Sequence, residues 1–266
     1  MTMMAFYGKG GIGKSTTVAN LSLLFARQGL RVLQFGCDPK SDSCLSLAPG
    51  LPTTVMDEWM ERGESNLRAE HCLISGRCGV ACIEAGGPTP GSGCGGRAIT
   101  KAFELVGSAQ TLRRDYDVVL FDVLGDVVCG GFSAPMRQGY ADQVFIVTSG
   151  ELRSLYAANN ICHAVAKCAG NGARLAGLVG NLRGLASERE RIERFAAAIG
   201  TTLLVAIPRD DRVGEAEAKK LTVVEYDPES PAGRSFQELH AVIDNLRPDD
   251  LTIPRPLARP EFDRFQ

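Results

Sequence analysis

The sequence is poor in the residues that usually announce a small metal scaffold: it has three His and one Trp, and none of its nine Cys form a C-x-x-C pair. With His71, His163 and His240 widely scattered, a zinc ribbon or a thioredoxin-like dithiol has no basis. Nor is there a basic-then-apolar leader before the first apolar run, and the cysteine count is odd in a chain of 266 residues. Both argue against a secreted disulfide framework and lead us to expect reduced thiols in the cytoplasm. A basic excess is also missing. Lys plus Arg is 29 against 31 for Asp plus Glu, a net charge of -2, which speaks against a non-specific grip on nucleic acid. No apolar run approaches the ~20 residues needed to cross a bilayer. What is present is an ordinary globular composition, 44% hydrophobic and 23% charged, with 30 Gly. At a soft 150 residues per domain, the length fits one large domain or two small ones.

Apolar runs and helical periodicities alternate along the chain. Thr2–Tyr7 reads as a strand, and Ser15 to Gln28 carries Val18, Leu21, Leu24 and Phe25 at helical spacing before Gly29. Further strands are expected at Arg31–Phe35, Val118–Phe121, Val144–Val147, Leu175–Val179 and Leu203–Ile207, with helices around 97–112, 151–168, 187–199 and 231–245. This alternation predicts a mostly parallel sheet with helices on both faces. Residues 60–96 break the rhythm, and the glycine-rich stretch from Gly76 to Arg97 reads as a shaped surface loop. No linker divides the chain. We expect one α/β domain over residues 1–248, followed by a tail, 249–266, that Pro254, Pro256 and Pro260 keep extended on the surface.

Gly8-Lys-Gly-Gly-Ile-Gly13-Lys14-Ser15 satisfies G-x-x-x-x-G-K-[ST] between a strand and a helix, the signature of a P-loop NTPase. Such a loop, Gly8 to Thr16 with Gly10, Gly11 and Ile12 at its centre, turns backbone N–H groups toward phosphate oxygens at a helix N-terminus. Lys14 is then expected at the β- and γ-phosphates and Ser15 on Mg²⁺. Val118-Val-Leu-Phe-Asp122 is an apolar strand ending in a carboxylate placed to hold Mg²⁺ through water. Asp38, just past the second strand, is a candidate to orient the attacking water, against the plainer reading of an Asx turn before Pro39. Lys9 is surplus to the loop's own needs. In this it resembles the deviant phosphate-loop ATPases, whose equivalent lysine reaches the partner's nucleotide across a dimer, and the resemblance implies a homodimer.

Two cysteines sit among glycines, in Gly91-Ser-Gly-Cys94-Gly-Gly-Arg97 and Gly125-Asp-Val-Val-Cys129-Gly-Gly131, each ahead of a helical stretch. Exposed N–H groups and a helix N-terminus favour thiolate and suit an anionic iron–sulfur cluster. A four-iron cluster needs four cysteines, and two chains about a two-fold axis supply them as Cys94 and Cys129 twice. Asp122 and Cys129 are seven residues apart, a reach of at most ~25 Å, so movement at the nucleotide is felt at the metal. Cys72, Cys78 and Cys82 read as reduced thiols in a partly packed loop, and Cys37, Cys44, Cys162 and Cys168 as core filling.

With Gly8–Ser15, Cys37-Asp-Pro-Lys40, Glu84-Ala-Gly-Gly-Pro88, Gly93-Cys94-Gly-Gly-Arg97, Asp122 to Gly131 and Leu155-Tyr-Ala-Ala-Asn-Asn160 in order, residues 2–245 resemble the nitrogenase iron protein family. The resemblance implies a cytoplasmic homodimer that bridges one [4Fe–4S] cluster through Cys94 and Cys129, binds MgATP in each subunit and contacts neither nucleic acid nor membrane. It implies one-electron transfer to a separate catalytic component, with reduced ferredoxin or flavodoxin as the electron donor. By the match, Lys9 is the cross-interface lysine, Asp38 to Ser43 the first switch and Asp122 to Asp126 the second. Asn181 and Pro208-Arg209-Asp210 correspond to the adenine side, and Arg97 to an arginine that contacts the partner and in some members is ADP-ribosylated. The chain departs from the pattern at Gly214, at Phe236 and through residues 60–82. The first two bear on contact with the base, and the third leans toward a nitrogenase-like partner, such as a methylthio-alkane reductase. A partitioning or division-site ATPase without redox chemistry is the rival; it leaves Cys94 and Cys129 without a task.

Overall fold

The computed structural model describes residues 2–88, 93–125 and 130–265. In chain order the elements are β1 Thr2–Tyr7, α1 Lys14–Arg27, β2 Val32–Cys37, α2 Val55–Arg62, β3 Ile74–Ser75, β4 Ala81–Glu84, α3 Gly95–Val106, α4 Ala109–Asp115, β5 Val118–Val123 and α5 Ala134–Arg137. They continue with β6 Gln143–Thr148, α6 Leu152–Cys168, β7 Arg174–Asn181, α7 Glu188–Ile199, β8 Leu203–Ile207, α8 Asp211–Ala218, α9 Val223–Tyr226, α10 Pro231–Asp244 and α11 Arg259–Arg264. One sheet runs in the order β3-β4-β2-β5-β1-β6-β7-β8, parallel throughout except for the antiparallel edge strand β3. The successive residues of each inner strand are buried on both faces, as the apolar runs require. Met3, Ala5 and Tyr7 join the core under α3, α6 and α7, while Met4 and Phe6 join the one under α1 and α10.

The sheet order places the chemistry. From β1 the chain moves to one side for β2 and to the other for β6, so a crevice opens beyond the carboxyl end of β1, where ligands bind in such sheets. The sequence places β1 and β8 to the residue and the remaining named strands to within about two positions. Three expectations need correction. The stretch Gly76 to Arg97 is not all surface loop: Ala81–Glu84 is an inner strand, hydrogen-bonded to β2 through Leu33–Gly36. The helix expected over 97–112 is two, because Gly107 turns the chain at φ +123° and Ser108 caps α4 through Thr111 N–H at 3.2 Å. The tail is not extended throughout: it is tied down along its length and ends in a helix. Thr252 bridges to Leu175, Leu257 exchanges hydrogen bonds of 2.8 and 2.9 Å with the side chain of Asn159, and α11 buries Phe262.

Candidate functional site

The loop after β1 is fixed by its neighbours. At Gly13, φ is +99°, and a Cβ there would lie 2.4 Å from Asn181 Nδ2, so only glycine fits both the turn and the packing. At Gly10 and Gly11 a Cβ would meet nothing within 4 Å, so the mouth of the loop is open. Asn181 Nδ2 donates to Ile12 O at 2.6 Å and Arg183 Nη2 to Gly11 O at 2.7 Å, tying the loop's carbonyls to the end of β7 and the loop that follows it. Arg183 in turn is held by Glu188, whose buried carboxylate accepts N–H bonds from Arg183, Gly184, Leu185 and Gly150 at 2.7 to 3.1 Å.

Lys14 opens α1 and is 8% exposed, with no acid within ion-pair distance among the described residues. A buried cation without a partner is costly, and a phosphate in the open loop would satisfy it. The loop therefore fits a nucleotide phosphate. Asp122, at the end of β5, is 3% exposed. Burial pushes its carboxyl above the usual range, against the charge of Lys14 and hydrogen bonds from Ser15 and Ser43. Asp122, Ser15 and Ser43 are thus brought together, an oxygen set suited to Mg²⁺. Lys9 is half-exposed on the outer arm of the loop. Asp38 does form the Asx turn, its Oδ1 accepting from Lys40 N–H at 2.9 Å.

Asn181, Pro208, Arg209 and Asp210 come together with Thr16 and Phe236 around a cleft of about 230 Å³ beside the loop. Gly214 is on α8 and exposed, and a Cβ there would meet nothing within 4 Å. Asp210 is structural as well: its Oδ1 caps α8 through Arg212 N–H at 3.0 Å and its Oδ2 accepts from Ala232 N–H at 3.0 Å.

Cys94 is exposed and stands as the N-cap of α3, with Arg97 exposed one turn on. Asp126 and Cys129 lie outside the described residues, but their flanks are placed. A Cβ on Gly125 would lie 2.1 Å from Gly8 O, and one on Gly131 2.0 Å from Gly96 O. The flank before these residues thus packs on the phosphate loop and the flank after them on the Cys94 turn. Pro39 makes a second connection. Cβ atoms on Gly87 and Gly95 would come within 2.6 and 2.8 Å of its ring, so the residue after Asp38 is packed against the turn that carries Cys94. An exposed thiol at a helix N-terminus, bordered by glycine backbone, fits a cluster ligand.

The remaining described thiols are of another kind. Cys37, Cys44, Cys72, Cys82, Cys162 and Cys168 are buried, and Cys78 is exposed at φ +53°. Burial, with Asp122, Glu84 and Asp38 nearby, raises the Cys37 thiol well above its ordinary value; a hydrogen bond with Cys82 and burial do the same for Cys44. Such thiols are inert. Among the described residues no three His, Cys, Asp or Glu side chains are grouped to hold a metal ion.

Residue reasoning missed two buried polar residues that lie beneath the site. Glu84, at the end of β4, is fully buried, and burial pushes its carboxyl up to about 8. Gln34, in the middle of β2, is also fully buried and bonds Ser43. For Gln34 the signal was a polar residue inside an apolar strand; Glu84 ends a strand that the sequence did not reveal.

A parallel sheet with a phosphate loop, a buried lysine and a strand-end aspartate defines a P-loop ATPase. The fold agrees with the septum site-determining protein MinD, complexed with Mg-ADP, from Pyrococcus horikoshii, which matches at TM-score 0.73 and 20% identity over 94% of this chain and 98% of that one. At that identity the likeness is one of fold. Residues 2–265 match the family of 4Fe-4S iron sulfur cluster binding proteins, NifH/frxC family. The chain is 46% identical to a nitrogenase iron protein of Methanospirillum hungatei over all of this chain and 95% of that protein. It is 44% identical to nitrogenase iron protein 2 of Rhodobacter capsulatus over 98% and 95%. The chain belongs to the NifH/frxC family. It is an ATP-hydrolysing iron–sulfur reductase whose cofactors are a [4Fe–4S] cluster and MgATP. Among the described residues no helix is long and apolar enough to cross a membrane.

Proposed function

We propose that the chain is the ATP-dependent electron donor of a two-component reductase. It works as a cytoplasmic homodimer in which Cys94 and Cys129 of each copy hold one cluster. Reduced ferredoxin or flavodoxin delivers electrons, and a nitrogenase or nitrogenase-like catalytic component receives them. When bound, the cluster supplies one-electron chemistry. The protein's own part is mechanical and electrostatic. Lys14 and the open glycine loop bind the phosphates, Ser15 and Asp122 hold Mg²⁺, and Asp38, freed from its turn, orients water. Lys9 reaches the nucleotide of the other copy. Asn181, Pro208, Arg209 and Asp210 flank the base, and Arg97 faces the catalytic partner. The departure of residues 60–82 from the family pattern, near β4 and the Cys94 loop, favours a nitrogenase-like partner such as a methylthio-alkane reductase.

One observation carries the coupling. Gly125 lies against the phosphate loop while Gly131 lies against Gly96, so the two described flanks of Asp126 and Cys129 touch one site each. MgATP is therefore expected to change how fast a chelator removes the cluster iron. Equal chelation rates with and without MgATP would contradict this coupling.

A further inference from the structure

The first switch is held from below by side chains that the ATPase site does not use. Gln34 Nε2 donates to Ser43 O at 2.8 Å and lies 3.0 Å from Ser43 Oγ. Cys44 N–H donates to Glu84 Oε1 at 2.7 Å. Asp122, at the end of β5, lies beside Ser43 as well. Three neighbouring strands, β4, β2 and β5, thus each send one buried polar side chain to the same two residues. Gly36 makes the convergence possible. It is in register with Glu84 on one side and Asp122 on the other, and a Cβ there would lie 1.9 Å from Glu84 Oε2 and 2.8 Å from Ser43 Cβ.

The three holds are not equivalent. Asp122 and Ser15 are the residues that Mg²⁺ claims in the proposed function, so its arrival weakens the grip on Ser43 from that side. Gln34 and Glu84 have no such second partner: Gln34 Oε1 and Glu84 Oε2 are buried without a hydrogen bond among the described residues. Upstream, Ser41 turns back at φ +57° with its N–H on Asp38 O at 3.1 Å. Downstream, Leu47 and Ala48 N–H bond Cys44 O at 2.9 and 2.8 Å. The segment is a short arch with Pro39, packed on the Cys94 turn, at one foot and Ser43–Cys44 at the other. Whatever fixes the second foot limits how far Pro39 can move.

We infer that Gln34 and Glu84 form a buried clamp that fixes the Ser43–Cys44 foot of the first switch and so sets how readily the switch responds to MgATP. Both act as positioning residues, through the backbone of the switch, and this role rests on the site proposed above.

Brief trypsin treatment of the whole chain tests it, because Lys40 is exposed on the arch and the fragment ending there is identified by mass. When opening is fast, cleavage tracks the open population. Losing hydrogen bonds of ordinary worth raises that population about five- to tenfold, so Gln34→Leu is expected to speed the Lys40 cut by that factor without nucleotide. Glu84→Leu should do the same, while Glu84→Gln, which keeps the acceptor, should restore the wild-type rate. The change in rate that MgATP produces in wild type should shrink toward none in Gln34→Leu. Wild-type cleavage in a natively melting Gln34→Leu protein, or an undiminished MgATP response, overturns the inference. Should Glu84→Leu fail to fold, Gln34→Leu decides alone. MgATP binding measured on the same samples separates the two ideas: wild type that binds none defeats the nucleotide-site assignment, while the nucleotide-free comparison still decides the clamp.

Discussion

Lys14 shows how much a single residue reveals once its surroundings are known. It is buried beside Asp122 but with no acid within ion-pair distance among the described residues, an arrangement that leaves its charge open to a phosphate. Lys14→Met is therefore expected to melt no lower than wild type without nucleotide, yet to bind MgATP about ten- to a hundredfold more weakly, as loss of a charge-assisted bond implies. Calorimetry and equilibrium dialysis on one preparation check both halves. Glu84 makes a pH prediction. Its carboxyl is raised from an ordinary 4.5 to about 8, so the stability it contributes is full below about 4.5 and is lost as pH rises through about 8. In nucleotide-free, magnesium-free protein, Glu84→Gln should gain on wild type between pH 6 and 8, by at most about 1.4 kcal/mol per pH unit. A constant difference across that range would exclude the shift. At this scale the phosphate loop and Cys94 were legible because their chemistry needs a contiguous pattern. Gln34, Glu84 and Glu188 were not, because each takes its meaning from residues distant in the chain, such as Ser43, Cys44 and Gly150.

Among the elements, the legible ones are those whose burial is symmetrical. β1, β5 and β6 are buried on both faces and read as continuous apolar runs. β4 has four residues in a glycine-rich setting, too few to show a period, and only its register with β2 makes it a strand. The joint between α3 and α4 was hidden because Ile99, Phe103, Val106 and Leu112 keep an apolar stripe through Gly107. The close approach of the loops bearing Cys94 and Gly131 was invisible in sequence for the same reason as the clamp. It does make a prediction: Gly131→Ala forces a Cβ to 2.0 Å from Gly96 O, a clash costing about 1 to 3 kcal/mol. The variant should melt lower and fail to retain iron. A wild-type melting profile and full iron content would show that the two loops do not depend on this contact. Trp59, the sole tryptophan, lies on α2 near α3, with Lys101 Nζ 5.9 Å from its ring. Its emission is a built-in reporter of movement between these helices.

As a whole molecule the chain is one sheet whose carboxyl edge carries both the phosphate loop and the turn that bears Cys94. The fold class was legible from alternation alone, and the family from short motifs. The 30 glycines and nine cysteines that make the composition unusual are divided by the structure into different tasks. Some glycines shape the phosphate loop, and others let backbone meet backbone near Cys94. Most described cysteines are packed in the core, whereas Cys94 stands exposed at a helix end. The central claim is that two copies share one four-iron cluster through Cys94 and Cys129. Iron counted in anaerobically prepared, reconstituted protein tests it most directly. About four iron per two chains is expected, with the brown colour lost in both Cys94→Ser and Cys129→Ser. Colourless wild-type protein, or full iron in either variant, would contradict it.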